Sequence, residues 1–269
     1  MKTWAKQLVP ERYRLLRYEL FEWLRYYPEL IFSIGSRLEC LFCGWHFRRF
    51  RPAGFDYTVL KERLVVGASY HTDDVCPRCL SNSRERLAFL YLRAKTQILT
   101  EPLTLLHIAP EPNIARVLSA QPNLNYITAD LFEPKVMTHC DIMNLPFADN
   151  VFDAVICNHV LEHVSDDRQA MQELFRVLKA RGWALLQVPI ALAIDETIED
   201  KSVITDADRI RVYGQNDHVR MYARCDYVER LKRAGFSVSV NNYPAELGKA
   251  TVLRSALVPE EEIFFCAKA

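Results

Sequence analysis

The segment Asp141-Ile-Met-Asn-Leu-Pro-Phe-Ala-Asp-Asn-Val-Phe-Asp-Ala-Val-Ile-Cys-Asn-His-Val-Leu-Glu-His-Val164 runs from an acidic loop into an apolar stretch that ends in polar residues. Val151 to Cys157 is too brief for a helix and is rich in residues that suit a strand buried on both faces. Asn158 and His159, at its far end, stand where open α/β sheets place ligands. Around this strand, apolar and helical segments alternate from Leu103 onward, which predicts a parallel sheet with right-handed crossovers. Strands are expected at 103–109, 125–129, 136–139, 151–157, 183–189, 237–242 and 263–267. Helices are expected between them, notably over 165–179 and over 224–234, the latter stopped by Gly235.

The same segment resembles the cofactor half of class I S-adenosylmethionine (SAM) dependent methyltransferases. That resemblance implies a Rossmann-like seven-stranded methyltransferase sheet with helices on both faces. It further implies that Asp141 meets the adenine amino group with Ile142 against the ring, and that Asn158 and His159 border the methionine moiety. Asp130 closes the run Tyr126-Ile-Thr-Ala-Asp-Leu131, where an acid can accept both ribose hydroxyls, with Leu131 beside it; a helix cap before Phe132 is the other use of that carboxylate. The first loop departs from the family. Where an acid and a glycine-rich turn are usual, this chain has Leu106-His-Ile-Ala-Pro-Glu-Pro112. Glycine there lets backbone approach the cofactor closely. Ala109 is small enough to serve, His107 stands in the place of the acid, and Glu111 can offer a carboxylate to the methionine ammonium. The loop is similar to that of a divergent subgroup that also carries paired cysteines ahead of the sheet.

Such pairs are present. Four of the eight cysteines form Cys40/Cys43 and Cys76/Cys79, the spacing of two tight turns that each give two thiolates to a tetrahedral zinc ion. A disulfide is disfavoured in a reducing compartment, and a redox motif by the presence of two copies. His46 and His71 are expected to be bystanders, and the long spacing between the pairs to be absorbed by a loop or hairpin over 54–69. The expected organisation is an N-terminal helical segment (1–38), a zinc-ribbon-like module (39–82) and a methyltransferase domain (83–269). A helix over 83–99, capped by Ser81 or Ser83 with Leu87, Leu90 and Tyr91 inward, should join the last two.

A polar insertion over 191–222 follows the fifth expected strand and reads as a lid. Its end, Asp217-His-Val-Arg-Met-Tyr222, resembles the same subgroup. His218 is the candidate general base, since imidazole titrates near neutral pH, with Asp217 or Asp226 to orient it. Its alternative role is to cap the next helix or to bond the insertion to the core. Arg220 and Tyr222 are candidates for binding substrate, His159 and His163 for a structural or cofactor-lining role, and Glu162 for starting or capping the helix that follows.

The chain has 269 residues, half of them hydrophobic, and no formal net charge. Residues 1–94 carry 16 Lys/Arg against 10 Asp/Glu and residues 95–269 carry 18 against 24, giving +6 and −6. That asymmetry falls short of a nucleic-acid signature. No apolar run approaches the roughly 18 residues of a spanning helix, and the first residues lack a cleavable leader pattern, so a cytoplasmic protein is expected. A basic amphipathic helix over 11–34 can contact a second subunit, its own domain or a membrane surface. The resemblance thus implies an enzyme that methylates oxygen on a small-molecule or saccharide-like acceptor. The rivals are an RNA methyltransferase gripping nucleic acid through its zinc module, and an interaction protein whose fold no longer catalyses.

Overall fold

The computed structural model describes residues 30 and 32–269. The expected helix over 11–34 lies almost wholly outside the described residues, and its last residue, Ile34, begins a strand. The centre of the molecule is a seven-stranded sheet. Its strands are β1 (Leu103–Ile108), β2 (Leu124–Asp130), β3 (Thr138–His139), β4 (Phe152–Asn158), β5 (Leu178–Gln187), β6 (Ser237–Asn241) and β7 (Ile263–Ala267). Their spatial order is β6-β7-β5-β4-β1-β2-β3, and all neighbours are parallel except β7, which runs antiparallel to both of its own.

Alternation along each strand sends side chains to two separate cores. Leu106, Val155, Cys157 and Leu186 pack against Met171 and Leu174 of α3 (Asp167–Val177) and Leu231 of α5 (Arg224–Arg233). Their neighbours Leu105, Ala154, Ile156 and Leu185 pack on the opposite face, against α1 (Ser83–Lys95) and α2 (Pro112–Leu118). Burial on both sides explains why Val151 to Cys157 reads as an unbroken apolar run rather than an alternating one.

Several boundaries shift for identifiable reasons. Helix α1 is capped by Asn82, whose side chain accepts from the Glu85 amide, and not by Ser81 or Ser83; it stops at Lys95 because Thr96 turns extended. Leu87, Leu90 and Tyr91 are buried as expected, but so are Ala88, Phe89 and Leu92, because the helix is covered on nearly every side. Strand β5 begins early, at Leu178, with a register break before Trp183.

Ahead of the sheet, strands Ile34–Glu39 and His46–Phe47 pair antiparallel, as do Arg51–Ala53 and His71–Val75. The first pair encloses the Cys40/Cys43 turn, and the second leads into the Cys76/Cys79 turn. The turns match: Gly44 and Leu80 donate their amides to the carbonyls of Cys40 and Cys76, and both adopt positive φ. The expected loop over 54–69 lies between the two strands of the second pair. It forms a short helix, Thr58–Glu62, and then Val65–Val66, which pairs with Ile190–Ala191 of the lid; Ile190–Ala191 also pairs with Tyr222–Ala223. Helix α4 (Asp206–Tyr213), in the insertion over 191–222, ends on Gly214 at φ 83°, against Leu60 of that segment. A side chain at Gly214 would collide with Leu60, so close approach and backbone conformation both call for glycine.

Candidate functional site

Strand order reverses between β1 and β4, the topological switch point at which open α/β sheets bind ligands outside the carboxyl ends of their strands. A cavity of about 620 Å³ opens there, lined by Ala109, Asp130, Leu131, Asp141, Ile142 and His159 among others. Ala109 takes φ 47°, the left-handed conformation that favours glycine, so this loop keeps the tight turn of a glycine-bearing one. Asp130 Oδ1 accepts the amides of Phe132 and Glu133 at 2.6 and 2.8 Å. Asp141 Oδ1 accepts the Met143 amide at 2.8 Å. In each carboxylate one oxygen fixes a turn, and Oδ2 makes no hydrogen bond within the protein among the described residues. Asp130 caps no helix, since the backbone after it forms a turn, but its Oδ2 stays free.

Three other expected cofactor ligands sit behind this loop. The His107 ring is fully buried and bridges the Tyr126 hydroxyl, at 2.9 Å, to Glu111 Oε2, at 2.6 Å. Glu111 Oε1 accepts from the Asn158 amide at 2.8 Å. Burial would raise the Glu111 pKa, but the hydrogen bond and charge of His107 and the amide of Asn158 override it and hold the carboxyl below its usual range. His107, Glu111 and Asn158 do not line the cavity. They tie the end of β1 to the end of β4 beneath it, which restores an acid at the end of β1 from a residue four positions later.

A second cavity, of about 350 Å³, adjoins the first and shares His159, His163 and Asp217 with it. Its walls come from the front module (Asp74, Gly67), the start of α1 (Arg84), the turn after β4 (His159, Glu162, His163), the lid (Asp217, His218) and the loop before β7 (Glu261). Arg84 Nη1 donates to His159 Nδ1 at 3.0 Å, leaving His159 Nε2 buried without a partner. Glu162 Oε2 and Glu261 Oε2 are buried and unpartnered as well. Burial pushes the Glu261 carboxyl up to about 7 against the pull of the Arg84 charge. For Glu162 burial works upward too, but His159, His163 and His218 outweigh it and lower the pKa.

The lid residues separate into two groups. His218 lines the second cavity but is only 4% exposed, and burial pushes its pKa down to about 4. The ring is neutral at physiological pH and a weaker base than a solvated imidazole. Asp217 orients His163, not His218: His163 Nδ1 lies 3.3 Å from the Asp217 carbonyl and 3.5 Å from its carboxylate. Asp226 is engaged with Arg230. Arg220 and Tyr222 line neither cavity. The Arg220 guanidinium donates to the carbonyls of Leu161, Val164 and Ser165 and pairs with Glu199, while the Tyr222 hydroxyl donates to Asp167 Oδ2 at 2.7 Å. Both are consumed in holding the lid to the turn after β4. Glu162 starts no helix, since Asp166 caps α3 through the Gln169 amide. Arg84 and Glu261 were not among the expected site residues, because only the fold brings them to the cavity.

At the front, the sulfurs of Cys40 and Cys79 lie 3.4 Å apart and those of Cys43 and Cys76 3.8 Å, with all four within 4.8 Å of one another. Zinc–sulfur bonds of about 2.3 Å place tetrahedral sulfurs about 3.8 Å apart, whereas a disulfide needs about 2.05 Å. The cluster has the dimensions of a metal site and excludes a bonded pair. His46 and His71 do not belong to it.

A protein-family description, "Methyltransferase domain", matches residues 103–186. The uncharacterised methyltransferase YcgJ of Bacillus subtilis is 35% identical over 71 residues, 25% of this chain and 28% of that protein. The ubiquinone/menaquinone biosynthesis C-methyltransferase UbiE of Desulfotalea psychrophila is 46% identical over 43 residues, 16% of this chain and 18% of that one. The chain thus matches less than a third of either relative's length. A crystal structure of a putative methyltransferase from Bacillus halodurans has a TM-score of 0.45 at 16% identity, covering 68% of this chain and 98% of its own.

Proposed function

We propose, from the premise that residues 103–186 form a domain of the methyltransferase family, that this chain moves the methyl group of SAM to a hydroxyl of a small-molecule, saccharide-like acceptor. The observation that carries this reading is the pair of adjoining cavities that share His159, His163 and Asp217 at the switch point. SAM occupies the larger, with Asp130 Oδ2 on the ribose, Asp141 Oδ2 on the adenine amino group and Ile142 against the ring. Ala109 lets the first loop close on the methionine end. The acceptor occupies the smaller. Its unpartnered Glu162 and Glu261 oxygens ask for donors and the His159 Nε2 for an acceptor, a demand that a molecule with several hydroxyls meets, because buried polar atoms left without partners are costly.

Methyl transfer from a sulfonium is an in-line displacement, so the protein contributes chiefly by alignment and by handling the acceptor's proton. His218 presents a neutral imidazole in the acceptor cavity for that purpose. One structural zinc on Cys40, Cys43, Cys76 and Cys79 holds the front module, whose inserted segment completes the acceptor wall and braces the lid. No described helix is long and apolar enough to cross a membrane. Incubation of the protein with methyl-labelled SAM and a small-molecule extract of its source cells should label a hydroxyl-bearing metabolite. Label appearing only in RNA or protein would overturn the acceptor class, and label on carbon would overturn the O-methylation.

A further inference from the structure

Glu162, His163 and His218 meet at the wall between the two cavities, and one donor atom from each lies within 4.8 Å of the others. Glu162 Oε1 is 3.9 Å from His163 Nε2, and the His163 and His218 rings stand at 84° with centroids 4.7 Å apart. Two ligands of one ion, each about 2.0–2.2 Å from it, stand roughly 3–3.6 Å apart. A small rotation of either side chain closes the difference.

The surroundings are those of a ligand set. His163 directs Nδ1 at the carbonyl and carboxylate of Asp217, the outer contact that fixes the tautomer of a metal-binding histidine and leaves the Nε2 lone pair for the ion. Glu162 is 2% exposed, yet its Oε2 has no partner. Among the described residues the His218 ring makes no hydrogen bond, so its lone pair is not committed elsewhere. Glu162 Oε1 also lies 3.4 Å from His159 Nδ1, and a buried carboxylate with a remaining unsatisfied oxygen is costly unless further pairing or metal coordination offsets it.

We propose that Glu162, His163 and His218 bind one divalent transition-metal ion that holds the acceptor hydroxyl beside the donor methyl. Two imidazoles with one carboxylate suit zinc, cobalt, nickel or iron better than magnesium or calcium, and three protein ligands leave coordination positions for substrate. Coordination acidifies the hydroxyl, whose proton passes to solvent. The oxygen lone pair then forms the new C–O bond while the C–S bond breaks with its electrons left on sulfur, giving methyl ether and S-adenosylhomocysteine. With the ion bound, His218 serves as a ligand, and release of the hydroxyl proton to solvent replaces proton transfer to His218. The proposal rests on the reading of the smaller cavity as the acceptor site.

Cobalt(II) titration of the full chain with its cysteine site zinc-loaded tests it. One equivalent should bind with weak visible bands and no thiolate charge-transfer band. Glu162→Gln should weaken cobalt affinity by about 100-fold while leaving melting and SAM affinity nearly unchanged, and the partly exposed His163→Gln should weaken cobalt affinity to a similar degree. No cobalt binding by wild type, a thiolate band, or full affinity in both variants would overturn the site. Calorimetry with SAM on the same samples separates the failures: SAM binding without cobalt binding sinks the metal site alone, whereas absence of SAM binding sinks the methyltransferase reading.

Discussion

Cys76→Ser protein should purify with little or no zinc, against one ion per chain in the wild type, and should melt on the order of 10 °C lower. Cys76 is fully buried, and its sulfur is one corner of the four-sulfur cluster. In small domains the metal-binding energy of such a site is folding energy, apparent values in peptides being about 10–16 kcal/mol. The front module has little else to hold it: its apolar cluster is small and includes the cysteines themselves, with Leu38, Phe47 and Phe50. The loss should spread, because the inserted segment carries Val65–Val66 into the lid sheet. Elemental analysis and thermal melting check both parts. Zinc-free wild-type protein with an unaltered melt in the variant would remove zinc from the account.

Arg86→Met should cost about 3–5 kcal/mol and lower the melting temperature by roughly 10 °C. The Arg86 side chain is fully buried and donates to the backbone carbonyls of Asp74, Ser81, Ser255 and Ala256 at 2.6–2.9 Å. It thereby joins the second cysteine turn to the segment after α6 (Tyr243–Arg254). Its planar fork reaches all four carbonyls at once, which methionine cannot do and which the single ammonium of Arg86→Lys should do only in part. Denaturant unfolding of the three proteins measures this directly. An Arg86→Met protein as stable as wild type would show that the bonds contribute nothing net.

Much of the fold could be read from residues because period and burial agree. A seven-residue apolar strand such as β4, followed by polar residues and a helix with Ala170, Met171, Leu174 and Val177 on one side, admits few arrangements. The cysteine spacing was equally direct. Side-chain destinations were harder. Asp130, Asp141, Ile142 and Ala109 stand at the cavity because strand ends and turns position them, and strand ends are visible in sequence. His107 and Glu111 sit in the same motif, but a fully buried ring that consumes its neighbour's carboxylate looks, in sequence, like a ligand facing outward. Arg220 misled for a similar reason: an arginine in a polar insertion suggests substrate, whereas here backbone carbonyls 55 to 59 residues away take its donors. Such long-range satisfaction of buried polar groups leaves no local pattern.

Isothermal calorimetry of the full chain with SAM bears most directly on the function assigned to the larger cavity. Wild type should bind one SAM per chain. Asp130→Asn, which keeps the oxygen that fixes the turn and replaces the free one by a donor, should bind about tenfold or more weakly through loss of charge-assisted bonds of about 1.5–3 kcal/mol. No heat of binding with wild type, or equal affinities in the two proteins, would contradict the placement of the cofactor at the carboxyl ends of β1, β2 and β4.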